Sequence, residues 1–137
     1  MALLSTKGIY GLRALYELSS KDLKTPTKLR EIADLSDISL NYLEQIFTIL
    51  KKEGFVKSIR GAEGGYMLAK PPSQITILSV IEALEGELQI ANKSHLNDPL
   101  KLFYLECQKV LEDFFDIPLS NIKEYHLKLL GQLNYTI

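Results

Sequence analysis

Asn41, Gln45, Thr48 and Lys52 recur at helical spacing and form one row of uncharged hydrogen-bonding groups with a basic end. Behind them Leu43, Ile46, Phe47 and Leu50 fall at i, i+3, i+4 and i+7, a single apolar stripe that a core would hold. A helix that is merely solvated more often carries mixed charges. Amides and a hydroxyl in this row suit the donor and acceptor pattern of base edges. Glu44 can accept from cytosine N4, and Gln45 can pair bidentately with adenine. Arg60, in the glycine-rich stretch that follows, suits the negative potential of a narrow A·T minor groove. The implied chemistry is recognition of duplex DNA.

The elements that must hold these groups are legible on either side. Ser39 stands where it can cap the helix of residues 39–52, and Gly54 stops it, as an achiral residue does at a left-handed C-terminal position. Phe55 to Arg60 alternates, Gly61 to Gly65 turns the chain, and Tyr66 to Ala69 returns, a small wing. Upstream, a first helix runs from about Ile9 to Ser20, with Ser5 or Thr6 as its cap and Ile9, Leu12, Leu15, Tyr16 and Leu18 inward. Thr27 caps a second helix with Leu29, Ile32 and Ala33 inside, and residues 35–38 make a tight connection to the third. Helix, short turn, polar-faced helix and wing give a winged helix-turn-helix. A plain three-helix bundle shares the apolar pattern but not the wing.

Downstream, residues 70–74 form a linker, and Thr76 caps a fourth helix that buries Ile77, Ile81 and Leu84 and ends at Gly86. Residues 87–98 read as loop. Pro99 opens a long helix to about Asp116, striped by Leu100, Phe103, Tyr104, Cys107, Leu111 and Phe114 and broadened by Leu102, Leu105, Val110 and Phe115. A helix this apolar on more than one side needs a second surface, most simply the same helix of another subunit. Pro118 breaks it, and Ser120 caps a last short helix to about Leu130. The fold class is mainly α with a small β-hairpin wing. Residues 1–86 are the winged helix-turn-helix domain, and 87–137 hold the dimerisation helix and a short C-terminal helix.

Composition sets the outer limits. The 137 residues are 46% hydrophobic and 24% charged, an ordinary soluble balance. No run approaches the ~20 apolar residues that span a bilayer, and no leader opens the chain. One cysteine excludes an internal disulfide and favours a reducing compartment, the cytoplasm. The net charge of −1 conceals an asymmetry: residues 1–70 hold 11 Lys/Arg against 8 Asp/Glu, and 71–137 hold 5 against 9. No phosphate-cradling loop, metal-ligand pair or nucleophile elbow is present, so no catalytic residue is nominated and an enzyme is not expected. His95 and His126 have no ligand spacing, and Cys107 suits a buried position as a small apolar thiol.

The segments LSTKGIYGLRA (4–14), ISLNYLEQIF (38–47), LKKEGFVKSIRG (50–61) and GGY (64–66) resemble the Rrf-two family of bacterial transcription regulators. The likeness covers about residues 3–86, and beyond Gly86 it fades to a compatible helical pattern. It implies a homodimer of winged helices, joined by long crossed helices, on double-stranded DNA with an inverted repeat, and a repressor. Carried over, Ser39, Asn41, Tyr42, Glu44 and Gln45 would lie in the major groove and Arg60 in the minor groove. Lys7, Tyr10, Lys28, Lys51 and Lys52 would contact phosphates, with Ser5, Thr48, Gly61 and Tyr66 completing the DNA-facing set.

This chain departs from the family pattern at Asn41, where a serine is common, and at Ala62 and Glu63, where proline and glycine are. Cluster-binding members carry three cysteines in the loop before the long helix. Residues 87–98 hold none, so no iron–sulfur cluster and no metal site is expected. Two rivals stay open. Glu63 in the wing and the acidic second half suit a protein-interaction module that holds an enzyme or another regulator. Alternatively the same regulator has a metal or redox input through Cys107 and a histidine.

Overall fold

A computed structural model describes residues 2–92 and 97–136. His95 falls outside them. The described elements are α1 (Thr6–Ser19), α2 (Leu29–Ser36), α3 (Leu40–Lys52), β1 (Val56–Ile59), β2 (Gly65–Leu68), α4 (Ile77–Glu85), α5 (Lys101–Phe115) and α6 (Ile122–Thr136), with 3₁₀ turns at Pro72–Gln74 and Leu119–Asn121.

α1 starts at Ser5, whose hydroxyl accepts from the Gly8 amide. Its buried stripe is Gly8, Gly11, Leu15 and Leu18, with Ala14 beside it. Ile9, expected inside, is 52% exposed, while Leu12 and Tyr16 are half-buried against the core. The stripe runs through two glycines, which a count of apolar side chains leaves out, while Leu15 and Leu18 are buried as spaced. Gly11 matters because α4 lies close: a Cβ there would stand 2.3 Å from Leu84 Cδ1. Glu85, at the end of α4, accepts from the Ser5 hydroxyl and from the Ser5 and Gly8 amides. A carboxylate thus meets the positive end of the α1 dipole.

Thr27 does not cap α2. Lys28 occupies that position without a side-chain cap bond, and Thr27 pairs with Tyr66, N–H to carbonyl in both directions at 2.9 and 2.8 Å. Extended backbone at Thr27 serves as a third edge on the β1–β2 ribbon, whose register is Val56↔Leu68 through Ile59↔Gly65. Gly65 permits the approach, since a Cβ there would lie 2.4 Å from the Thr27 carbonyl oxygen.

The core combines Leu15 and Leu18 of α1, Ile32 of α2, Leu43, Ile46, Phe47 and Leu50 of α3, and Val80, Ile81 and Leu84 of α4. It also takes Leu119, only 1% exposed, from far along the chain. Ile77 donates to the Ile117 carbonyl at 2.9 Å and Leu119 to that of Ile75 at 2.7 Å, fastening the start of α4 to the turn after α5. α5 itself has no buried residue. α6 follows the 3₁₀ turn directly and runs to Thr136, so it is neither short nor ended near Leu130. Gly131 lies exposed inside it, and a glycine in an open helical position costs only ~1 kcal/mol, too little to stop the helix. Tyr16 meets His126 of α6, hydroxyl to Nδ1 at 2.7 Å with the rings edge-on, so this exposed histidine lies against α1.

Candidate nucleic-acid interface

The turn between α2 and α3 is Asp37, Ile38 and Ser39, with Leu35 and Ser36 still helical. Asp37 takes the left-handed conformation at φ 55°, Ile38 plugs the core, and the Ser39 hydroxyl accepts from the Tyr42 amide at 3.3 Å. Arg13 braces the turn from α1: its Nε meets Glu17 at 2.9 Å and its Nη2 donates to the Leu35 carbonyl at 3.0 Å. With Leu43, Ile46, Phe47 and Leu50 sealed in the core, α3 has one orientation available.

That orientation turns Asn41, Glu44, Gln45, Thr48, Lys51 and Lys52 outward, all exposed, along with the cap Ser39. The Thr48 hydroxyl donates back to the Glu44 carbonyl at 2.8 Å, leaving its lone pairs and methyl outward. Among the described residues the ion pairs are Arg13–Glu17, Lys21–Glu31 and Lys109–Asp113, none on α3. Glu44 is therefore not spent on a neighbouring cation there. Two lysines in the last turn of α3 offset its negative end and extend the row with positive charge.

Tyr42 departs from the expected outward set. It is half-buried against the core, its ring edge-on to Tyr10 at 5.8 Å, so the pair couples α1 to α3 and presents only part of its surface. Tyr10 and Lys7 on α1 are exposed, as are Arg60 and Gly61 in the wing tip. Tyr66 is not part of that outward surface. Its ring packs on Phe47 at 4.9 Å and its backbone pairs with Thr27, so it holds the wing from beneath. Ser5 is exposed but engaged at the α1 start, and the Lys28 ammonium donates to the Ala62 carbonyl at 2.6 Å. Thr27, Arg13 and Glu85, which position the interface, carry no signal in composition or periodicity.

Leu100, just before α5, is exposed, as are Phe103 and Phe114 on it, while Tyr104, Cys107 and Leu111 are half-buried. Leu102 and Val110 reach 78% and 68% exposure, and α6 adds Tyr125, Leu129 and Leu133.

The sequence profile of the Rrf2 family, described as iron-dependent transcriptional regulators, matches residues 4–128. The chain belongs to this family. It is a helix-turn-helix, DNA-binding transcription regulator. The transcriptional regulator CymR of Bacillus subtilis is 43% identical over 98 residues, 72% of this chain and 71% of the relative. IscR of Photorhabdus laumondii is 40% identical over 82 residues, 60% of this chain and about half (50%) of that protein. Among solved structures, B. subtilis CymR, described as the global cysteine regulator, superposes with a TM-score of 0.81 at 35% identity, covering 91% of this chain and 98% of that one. IscR of T. potens gives 0.74 at 35% identity, covering 90% and 87%.

The iron in the family description finds no matching ligand set here. Cys107 is the sole cysteine, half-buried on α5, and among the described residues no group of three or more His, Cys, Asp or Glu could hold a metal. His126 has its Nδ1 on Tyr16. These residues do not fit an iron–sulfur cluster. Among the described residues no helix is long and apolar enough to cross a membrane.

Proposed function

We propose that this regulator is a cytoplasmic homodimer that represses from an inverted repeat, without catalysis and without a metal cofactor. The observation that carries the reading is the outward row of Asn41, Glu44, Gln45 and Thr48 on a helix locked by four core residues, with the Arg60 wing attached beside it. In this arrangement the first turns of α3 enter the major groove, Glu44 and Gln45 address base edges, and Arg60 enters the adjoining minor groove. Lys7, Tyr10, Lys51 and Lys52 touch phosphates, which fix register without reading sequence.

The dimer half of the reading rests on α5. A helix with no buried residue and with Leu102, Phe103, Val110 and Phe114 exposed is far too apolar to face water alone. A second copy of the same helix across a two-fold axis supplies a self-complementary cover. Two recognition helices related by that axis then meet half-sites about one helical turn apart, ~34 Å.

Fluorescence anisotropy with an A·T-rich inverted repeat tests the whole. Gln45→Ala should relax base preference by ~1–3 kcal/mol, and Arg60→Ala should weaken discrimination at the wing-facing steps. Lys52→Ala should lower affinity about equally on every duplex and flatten the salt dependence by about one ion. Three variants behaving like wild type would mean that another surface faces the DNA.

A further inference from the structure

The family reading treats a lysine beside the helix-turn-helix as a phosphate contact, but Lys28 is occupied inside the protein. It is the residue that opens α2, and its ammonium crosses to the tip of the wing, donating to the Ala62 carbonyl at 2.6 Å across 34 residues of sequence. One residue earlier, Thr27 is bridged to Tyr66, which pairs with Ser58 one rung from the Ile59–Gly65 pair that ends the ribbon at its loop. The wing is thus tied to the entrance of α2 at two points, one backbone and one side chain. The backbone bridge holds the strands of the ribbon, and the loop of residues 60–64 beyond them is closed by the Gly64 amide on the Gly61 carbonyl at 3.0 Å. Every side chain of that loop that could meet DNA, Arg60 and Glu63 included, is exposed. Among the described residues, the bond that joins this loop to the helix pair is the one from the lysine.

We propose that Lys28 is a positioning residue for minor-groove readout: it sets the distance between the wing tip and α3, and so the register between Arg60 and the bases read by Glu44 and Gln45. This rests on the DNA-reading geometry proposed above. A charged donor on a carbonyl is stronger than a neutral pair, so removing it frees the loop while the Thr27 bridge keeps the ribbon attached. A phosphate contact and a positioning contact differ in signature. The first costs affinity uniformly and lowers the salt slope; the second costs discrimination at the steps under the wing and leaves the slope alone.

The test has a DNA-free arm and a DNA arm. Hydrogen exchange on the full chain should show the Gly64 amide opening about fivefold faster in Lys28→Met than in wild type, with Lys28→Arg restoring most of the protection. Unchanged exchange at Gly64 in Lys28→Met overturns the proposal. In anisotropy titrations on duplexes that differ only at the wing-facing step, Lys28→Met should lose most of the A·T over G·C preference, about fivefold or more, and keep its preference at the major-groove positions. A uniform loss on all duplexes with the salt slope reduced by about one overturns it in favour of a phosphate contact. If exchange changes as expected but wild type itself does not discriminate between the duplexes, the groove assignment fails, and with it the readout role of Lys28.

Discussion

Replacing Gly65 with alanine separates two effects that usually travel together. Gly54 and Gly65 both have positive φ, 82° and 153°, so a side chain at either leaves its preferred backbone region at a cost of ~1–2 kcal/mol. At Gly54 an added Cβ meets nothing within 4 Å. At Gly65 it would stand 2.4 Å from the Thr27 carbonyl oxygen and 3.0 Å from the Lys28 nitrogen, both backbone atoms that no rotamer change can move. The cheapest relief is for the wing to release Thr27, losing the 2.9 and 2.8 Å hydrogen bonds, ~1 kcal/mol each. Gly65→Ala should therefore cost ~3 kcal/mol and Gly54→Ala ~1. Urea unfolding at one fixed protein concentration, followed by far-ultraviolet circular dichroism, measures both, and with seven tyrosines and no tryptophan, tyrosine fluorescence gives a second probe. Costs that agree within ~0.5 kcal/mol would refute the reasoning, because the approach of β2 to Thr27 would then contribute nothing.

Leu119→Ala removes a side chain that is 1% exposed and should cost ~2–5 kcal/mol, with α4 and the segment after α5 still unfolding in one transition. Two separate transitions would mean that Leu119 does not join the parts. Glu85→Ala should destabilise by ~1 kcal/mol at low salt, since the α1 amides lose their anionic acceptor, and high salt should shrink the difference. An effect indifferent to salt would argue that the carboxylate acts by packing. Phe103→Glu, at an exposed position of α5, should turn the proposed dimer into a monomer in sedimentation equilibrium with the helical circular dichroism retained. A variant that stays dimeric places the subunit contact elsewhere.

Most of the winged domain was legible because its signals are local. The stripe Leu43, Ile46, Phe47 and Leu50 is buried as spaced, and Ser39, Thr76, Gly54 and Gly86 cap or stop the helices expected of them. Helix caps are read well because the donor and acceptor lie within four residues of each other. On α1, Leu15 and Leu18 are buried as spaced but Ile9 is not, because the contact with α4 is made through Gly8 and Gly11, and a residue with no side chain adds nothing to a hydrophobic period. At the other end, α6 runs on past the expected stop near Leu130 to Thr136, through Gly131, which is exposed and no barrier to the helix.

The site was legible in its outward face and illegible in its fastenings. Asn41, Glu44 and Gln45 stand outward because four core side chains on the same helix leave them no alternative, and that constraint is written in the spacing. Thr27 shows the opposite case. A threonine two positions before the first residue of α2 has the type of a cap, yet its role is to pair backbone to backbone with Tyr66, 39 residues on. Such pairing uses groups that every residue but proline possesses, so residue identity at Thr27 cannot announce it. The only mark it leaves in sequence is on the partner strand, where a glycine is required at position 65 because the carbonyl of Thr27 occupies the space of a Cβ. A glycine in a wing is therefore better evidence for a third chain lying against it than for flexibility at the tip. The same logic explains Lys28 and Arg13. Both end on carbonyls, of Ala62 and Leu35, and a carbonyl is as anonymous in sequence as an amide. Positions that read DNA are chosen for their side chains and can be recognised from them; positions that hold the reader in place are chosen largely for the backbone they reach.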